Sequence, residues 1–99
     1  MLNKLNDKLI NELVRAIISI KDKEECYSFL EDLCTISEIK SMAQRLEVAK
    51  MLEQKMVYSE IAQKTGSSTA TISRVKRALD YGTGGYKTIL RHLEETKDE

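Results

Sequence analysis

Near the start of the chain Leu5, Leu9, Leu13 and Ile17 recur every four residues, with Ile10, Val14 and Ile18 beside them. That spacing predicts an amphipathic helix over residues 3–20 with a broad apolar stripe. Asp22 is placed to cap a second helix to about Cys34, with Cys26, Phe29, Leu30 and Leu33 turned inward. Thr35 followed by Glu38 fits a capping box, in which hydroxyl and carboxylate satisfy each other's backbone amides. A third helix then runs to about Gln54 on Ile39, Met42, Ala43, Leu46, Ala49 and Leu52. A short helix from about Ser59 to Thr65 is closed by Gly66, and a fifth starts after Ser68 and reaches Asp80 or Tyr81, with Gly82 behind it. Thr83-Gly84-Gly85 reads as a turn, and a last helix over residues 86–95 buries Ile89, Leu90 and Leu93. The expected fold class is all-α, six helices with short connections. The absence of proline and the scarcity of glycine agree with it.

The first stripe is unusually wide. Leu2, Leu5, Leu9, Ile10, Leu13, Val14, Ile17, Ile18 and Ile20 cover most of the helix girth, which calls for two neighbours. Either the helix lies in the middle of a monomeric bundle, or a second subunit covers it. The sequence reading favours a homodimer.

Composition and charge add two constraints. With 41% hydrophobic and 32% charged residues in 99, the chain reads as one soluble folded domain. No apolar stretch approaches the ~18 residues a membrane span needs, and no signal peptide opens the chain, so a cytoplasmic protein is expected. The net charge of zero hides an asymmetry. Residues 1–58 carry nine Lys/Arg against ten Asp/Glu, whereas residues 61–93 carry six basic residues against Asp80 alone, a local net of +5. Scattered charge can also be a plain solvated helix face.

Little points to catalysis or metal. Cys26 and Cys34 lie eight apart among apolar residues, without a CxxC, and His92 is the one histidine. Reduced, core-filling cysteines and no metal site are expected. No acid pair, phosphate loop or nucleophile-base pair emerges, and Glu94 and Glu95 read as a solvated helix end, so no enzyme is expected.

The chemistry concentrates in "EIAQKTGSSTATISRV", residues 60–75. Two helices joined by a short glycine-containing turn form a helix-turn-helix. Ala62 permits close helix approach, Gly66 makes the turn, and Ile61, Ile72 and Val75 fill the wedge between the helices. With Ile72, Val75 and Leu79 inward, the outer face of the fifth helix shows Thr69, Ala70, Thr71, Ser73, Arg74 and Arg77. Short side chains at a helix N-terminus suit the major groove, where they reach base edges. Lys64, Lys76, Arg77 and the N-terminal amides around Ser67 and Ser68 suit phosphate oxygens. Ser and Thr add little to helix stability, so their crowding here asks for another reason. Double-stranded DNA is the expected partner. The alternative is a protein-interaction module that uses the helical hairpin without DNA.

These residues also carry a family resemblance. "TGSSTATISRV" (65–75) resembles the reading head of the Trp repressor superfamily. With "YSEIAQ" before it and "KRALDYG" after, it is most similar to the YerC/YecD-type branch of bacterial regulators. The likeness extends from about Ile36 to Leu93 and is sharpest between Tyr58 and Gly82. It implies a six-helix Trp-repressor-like fold assembled as an intertwined homodimer. Residues 1–35 would supply dimerisation helices, 36–56 a core helix, 58–81 the helix-turn-helix and 85–95 a C-terminal helix. The implied function is sequence-specific transcriptional regulation, with repression as its expected sign. Thr69, Ala70, Thr71 and Ser73 fall at DNA-contacting positions. Arg74 matches the arginine that packs on the indole in tryptophan-sensing members. Arg45 is the candidate for a second pocket arginine if a one-residue gap is admitted; without it Gln44 falls there. Val75 stands where those members have glycine, and its branched side chain would take space the ligand needs. No cofactor is expected, and tryptophan is not expected as the effector.

Overall fold

The computed structural model describes residues 7–96. Six helices follow one another: α1 (Lys8–Ile18), α2 (Lys23–Leu33), α3 (Ile36–Glu53), α4 (Tyr58–Thr65), α5 (Thr69–Tyr81) and α6 (Gly85–Glu95). Leu2 and Leu5, part of the expected first stripe, lie outside the described residues. The chain divides into two compact units, Met1–Ile39 and Lys40–Glu99, with the division inside α3.

In the first unit the caps set the helix bounds. Asp7, in extended backbone, accepts hydrogen bonds from the amides of Leu9 and Ile10 at 2.8 and 3.4 Å. That fixes the start of α1 at Lys8; residues 3–6 of the expected helix lie outside the described residues. Asp22 accepts from the Glu25 amide at 2.9 Å, and Glu24 and Glu25 place negative charge in the first turn of α2, where the helix dipole favours it. The expected capping box forms. The Glu38 amide donates to Thr35 Oγ1 at 3.1 Å and the Thr35 amide to Glu38 Oε1 at 2.8 Å. Neither α1 nor α2 contains a buried residue. Leu9 and Ile18 are 82% and 76% exposed, and Leu33, expected inside, is exposed as well. Cys26 and Cys34 are both free thiols and half-buried.

The buried core belongs wholly to the second unit. Val48, Ala49 and Leu52 of α3 meet Ile61 of α4 and Ile72, Val75 and Leu79 of α5. Met51, Met56, Ala62, Tyr86 and Leu90 pack against this cluster. Burying an Ile or Val side chain of this kind contributes about 1.5–3 kcal/mol relative to exposure. Ile61, Ile72 and Val48 are the large side chains sealed from solvent. Met42, Ile89 and Leu93, expected in the core, are exposed instead, so only Leu90 of the α6 stripe reaches it.

Between α3 and α4 the chain turns without glycine. The Met56 amide donates to the Met51 carbonyl and the Lys55 amide to the Leu52 carbonyl, while Lys55 takes φ +66°. This is a Schellman ending with lysine in the left-handed position that glycine usually holds. Gly82, after α5, is needed for a different reason. Its φ is −85°, but a Cβ there would collide with the Ala78 carbonyl oxygen. Among the described residues, no helix is long and apolar enough to cross a membrane.

Candidate nucleic-acid interface

The helix-turn-helix is built outward from the core. Ile72, Val75 and Leu79 follow the three- and four-residue spacing that keeps one face of α5 inward, packed on α4 and α3. The remaining turns of α5 then have to face away. Thr69, Ala70, Ser73, Arg74 and Arg77 are exposed, as the spacing predicts, and Thr71 is half-buried.

The turn itself is short and polar. Gly66 takes φ +74°, and its amide donates to the Ala62 carbonyl at 2.8 Å. A β-carbon at that φ is strained, which is why glycine stands there. Thr65 Oγ1 donates to the Ile61 carbonyl at 2.7 Å and accepts from the Ser67 amide at 3.1 Å. Ser68 caps α5: its Oγ accepts from the Thr71 amide at 3.1 Å and lies 3.1 Å from Thr71 Oγ1, to which it donates. Ser68 is exposed but its side chain is committed to the helix end. Ser67, named with Ser68 for the amides at the start of α5, has a buried side chain. Only 6% of it is exposed, and Ser67 Oγ is buried with no hydrogen-bond partner.

Charge on this unit is arranged in two ways. Lys64 lies 3.7 Å from Glu60 and Lys76 lies 3.3 Å from Asp80, both pairs one helical turn apart. Such surface pairs contribute roughly 0.3–0.5 kcal/mol each, so either lysine can exchange its partner at little cost. Arg74 and Arg77 are exposed and form no ion pair with another described residue. They present two free guanidinium groups on the same helix as the short polar side chains. Planar guanidinium groups suit phosphate and guanine edges alike.

The residue that the spacing did not single out is Gln44. Its Nε2 donates to the Thr65 carbonyl at 3.0 Å, joining α3 to the end of α4. The available signal was a polar residue at the head of the row Gln44, Val48, Met51 and Leu52, the face of α3 that packs inward. Arg45, the candidate for a pocket arginine, is the next residue round the helix and is exposed. The Gln44 side chain is bonded to the end of α4. Among the described residues no group of three His, Cys, Asp or Glu side chains could hold a metal ion.

Comparison with known proteins places this geometry in a family. The family model for the Trp repressor protein matches residues 8–94. An uncharacterized protein of Bacillus subtilis, YerC, is 53% identical over 98 residues, covering 99% of this chain and 94% of that protein. A Trp operon repressor homolog of Chlamydia caviae is 32% identical over 94 residues, covering 94% of this chain and 93% of that protein. The crystal structure of a TrpR-like protein from Eubacterium eligens superposes with a TM-score of 0.88 at 53% identity, covering 93% of this chain and 95% of that one. The six helices, the helix-turn-helix and these matches lead to one statement: the chain belongs to the Trp repressor family.

Proposed function

We propose that the protein is a sequence-specific DNA-binding transcriptional regulator that acts as a homodimer and represses. In this reading α5 enters the major groove. One observation carries it: α5 turns Ile72, Val75 and Leu79 into the core and leaves Thr69, Ala70, Ser73, Arg74 and Arg77 on a continuous exposed face. The short residues come first, where base edges are reached, and the arginines follow. Lys64 and Lys76 add phosphate contacts on either side. Membership of a family named for a repressor supports the regulatory role.

The homodimer is supported by α1. Leu9, Leu13, Val14, Ile17 and Ile18 are all exposed on one short helix, a run of apolar surface that a second copy can cover. Tryptophan is not the effector in this reading. Val75 directly follows Arg74 and is packed into the core at 2% exposure, where the tryptophan-sensing members carry glycine.

The test is selection of bound sequences from a random duplex pool, followed by titration of the winners at several salt concentrations. Affinity should fall steeply as salt rises, because each neutralised phosphate releases counterions. Arg77→Ala should weaken all sequences alike, and Thr69→Ala should change which sequence is preferred. Added tryptophan should raise neither the affinity nor the melting temperature. No selected DNA bound at low salt would end the reading and favour a protein-interaction hairpin.

A further inference from the structure

One side-chain hydrogen bond joins residues 21 apart along the chain. Gln44 Nε2, half-buried on α3, donates to the Thr65 carbonyl at 3.0 Å. A carbonyl only accepts, so the amide nitrogen of Gln44, and not its oxygen, faces Thr65.

The acceptor occupies a decisive place. Thr65 ends α4, so its carbonyl is one of those left without an intrahelical donor. The next residue, Gly66, makes the left-handed step that directs the chain into α5, and the position of a Cβ on Gly66 lies 4.0 Å from Gln44 Nε2. Thr65 is therefore held at its hydroxyl and at its carbonyl. Its hydroxyl is fixed by Ile61 and Ser67, and its carbonyl is fixed from α3. Apolar packing of Ile61, Ile72 and Val75 holds the two helices together, but packing is weakly directional. A hydrogen bond at the turn is directional, and it ties the turn to a helix outside the hairpin.

We propose that Gln44 is a positioning residue for DNA recognition: its amide latches the α4–α5 turn to α3 and holds α5 in its reading orientation without a small-molecule effector. This rests on the DNA-binding reading above. Gln44 touches no DNA; it acts through Thr65 and Gly66. A neutral amide fits the half-buried site, where a methionine of similar length would fill the space without donating. A glutamate would set a carboxylate against the carbonyl.

The experiment compares the full wild-type chain with Gln44→Met and, should that variant fold poorly, Gln44→Leu. Amide hydrogen exchange is followed without DNA, and affinity for selected and random duplexes is measured with no metabolite added. One hydrogen bond of ordinary strength corresponds to about fivefold in a local opening equilibrium. Exchange at Gly66 and Ser67 should quicken by about that factor, while amides inside α6 keep their wild-type rates. Affinity for the selected duplex should fall by about threefold to fivefold and affinity for random duplex by less, since misplacement of α5 harms base contacts first. Wild-type protection at the turn in the variant would overturn the latch. A loosened turn with unchanged discrimination between duplexes would overturn the positioning role. If the wild-type chain binds no selected DNA, both this proposal and the DNA-binding reading fall, and that outcome appears before any substitution is made.

Discussion

Helices α1 and α5 make an instructive pair. In α1, Leu9, Ile10, Leu13, Val14, Ile17 and Ile18 make more than half of the helix large and apolar, yet it buries no residue. In α5, Ile72, Val75 and Leu79 are the large aliphatic residues, fewer than in α1, and all three are in the core. The more polar helix is the better packed one. Apolar periodicity therefore states that a face needs a partner, but not whether that partner lies in the same chain. In α5 the partners are the neighbouring α4 and the end of α3, reached through connections of three and four residues. For α1 we place the partner in a second copy.

The largest effect is expected from removing a core side chain on the packed side. Ile72 has no exposed surface and fills the wedge between α4 and α5. Ile72→Ala should lower unfolding free energy by about 2–5 kcal/mol, the range for truncating a buried aliphatic residue. Urea denaturation followed by circular dichroism measures it. A loss below about 1 kcal/mol would mean that the wedge is not where stability resides.

On α1 the expected effect is on assembly. Ile17 is half-exposed on α1. If a second copy covers it, Ile17→Asp takes a buried aliphatic contact from each half of a symmetric interface, about 1.5–3 kcal/mol at each of the two sites. Sedimentation velocity at micromolar concentration should then show a shift from dimer to monomer. An unchanged mass would place Ile17 outside any interface, and a monomeric wild-type chain would remove the dimer altogether.

The same contrast explains what could be read from sequence. The helix-turn-helix was legible because its requirements are local. Ala62, Gly66, Ser68, Ile72 and Val75 each answer a need set within a few residues, and the structure puts Gly66 at φ +74° and Ser68 at the cap. Assignments that needed a distant partner fared worse. Leu33, Met42, Ile89 and Leu93 carry the right spacing but are exposed, since spacing does not name the surface they meet. Lys55 adopts a left-handed conformation that no glycine or asparagine announces. Gln44 entered the sequence reading as the ungapped occupant of a pocket position, and its bond depends on a carbonyl 21 residues away.

Ser67 gives the smallest and most pointed effect. Placed among the polar residues of the turn, it reads as a DNA contact, yet it is nearly as buried as the core valines. Its hydroxyl has no hydrogen-bond partner. A buried hydroxyl without a partner costs folding free energy that its removal recovers, about 1–3 kcal/mol at most, while loss of one small polar atom leaves little void. Ser67→Ala should therefore keep or modestly raise the melting temperature by differential scanning calorimetry, and it should leave affinity for selected DNA unchanged. Ser73→Ala, on the exposed face of the same unit, should do the reverse, sparing stability while shifting DNA affinity. If both substitutions alter DNA binding alike, burial does not separate structural from reading residues in this hairpin, and the division of α5 into an inner and an outer face loses its functional meaning.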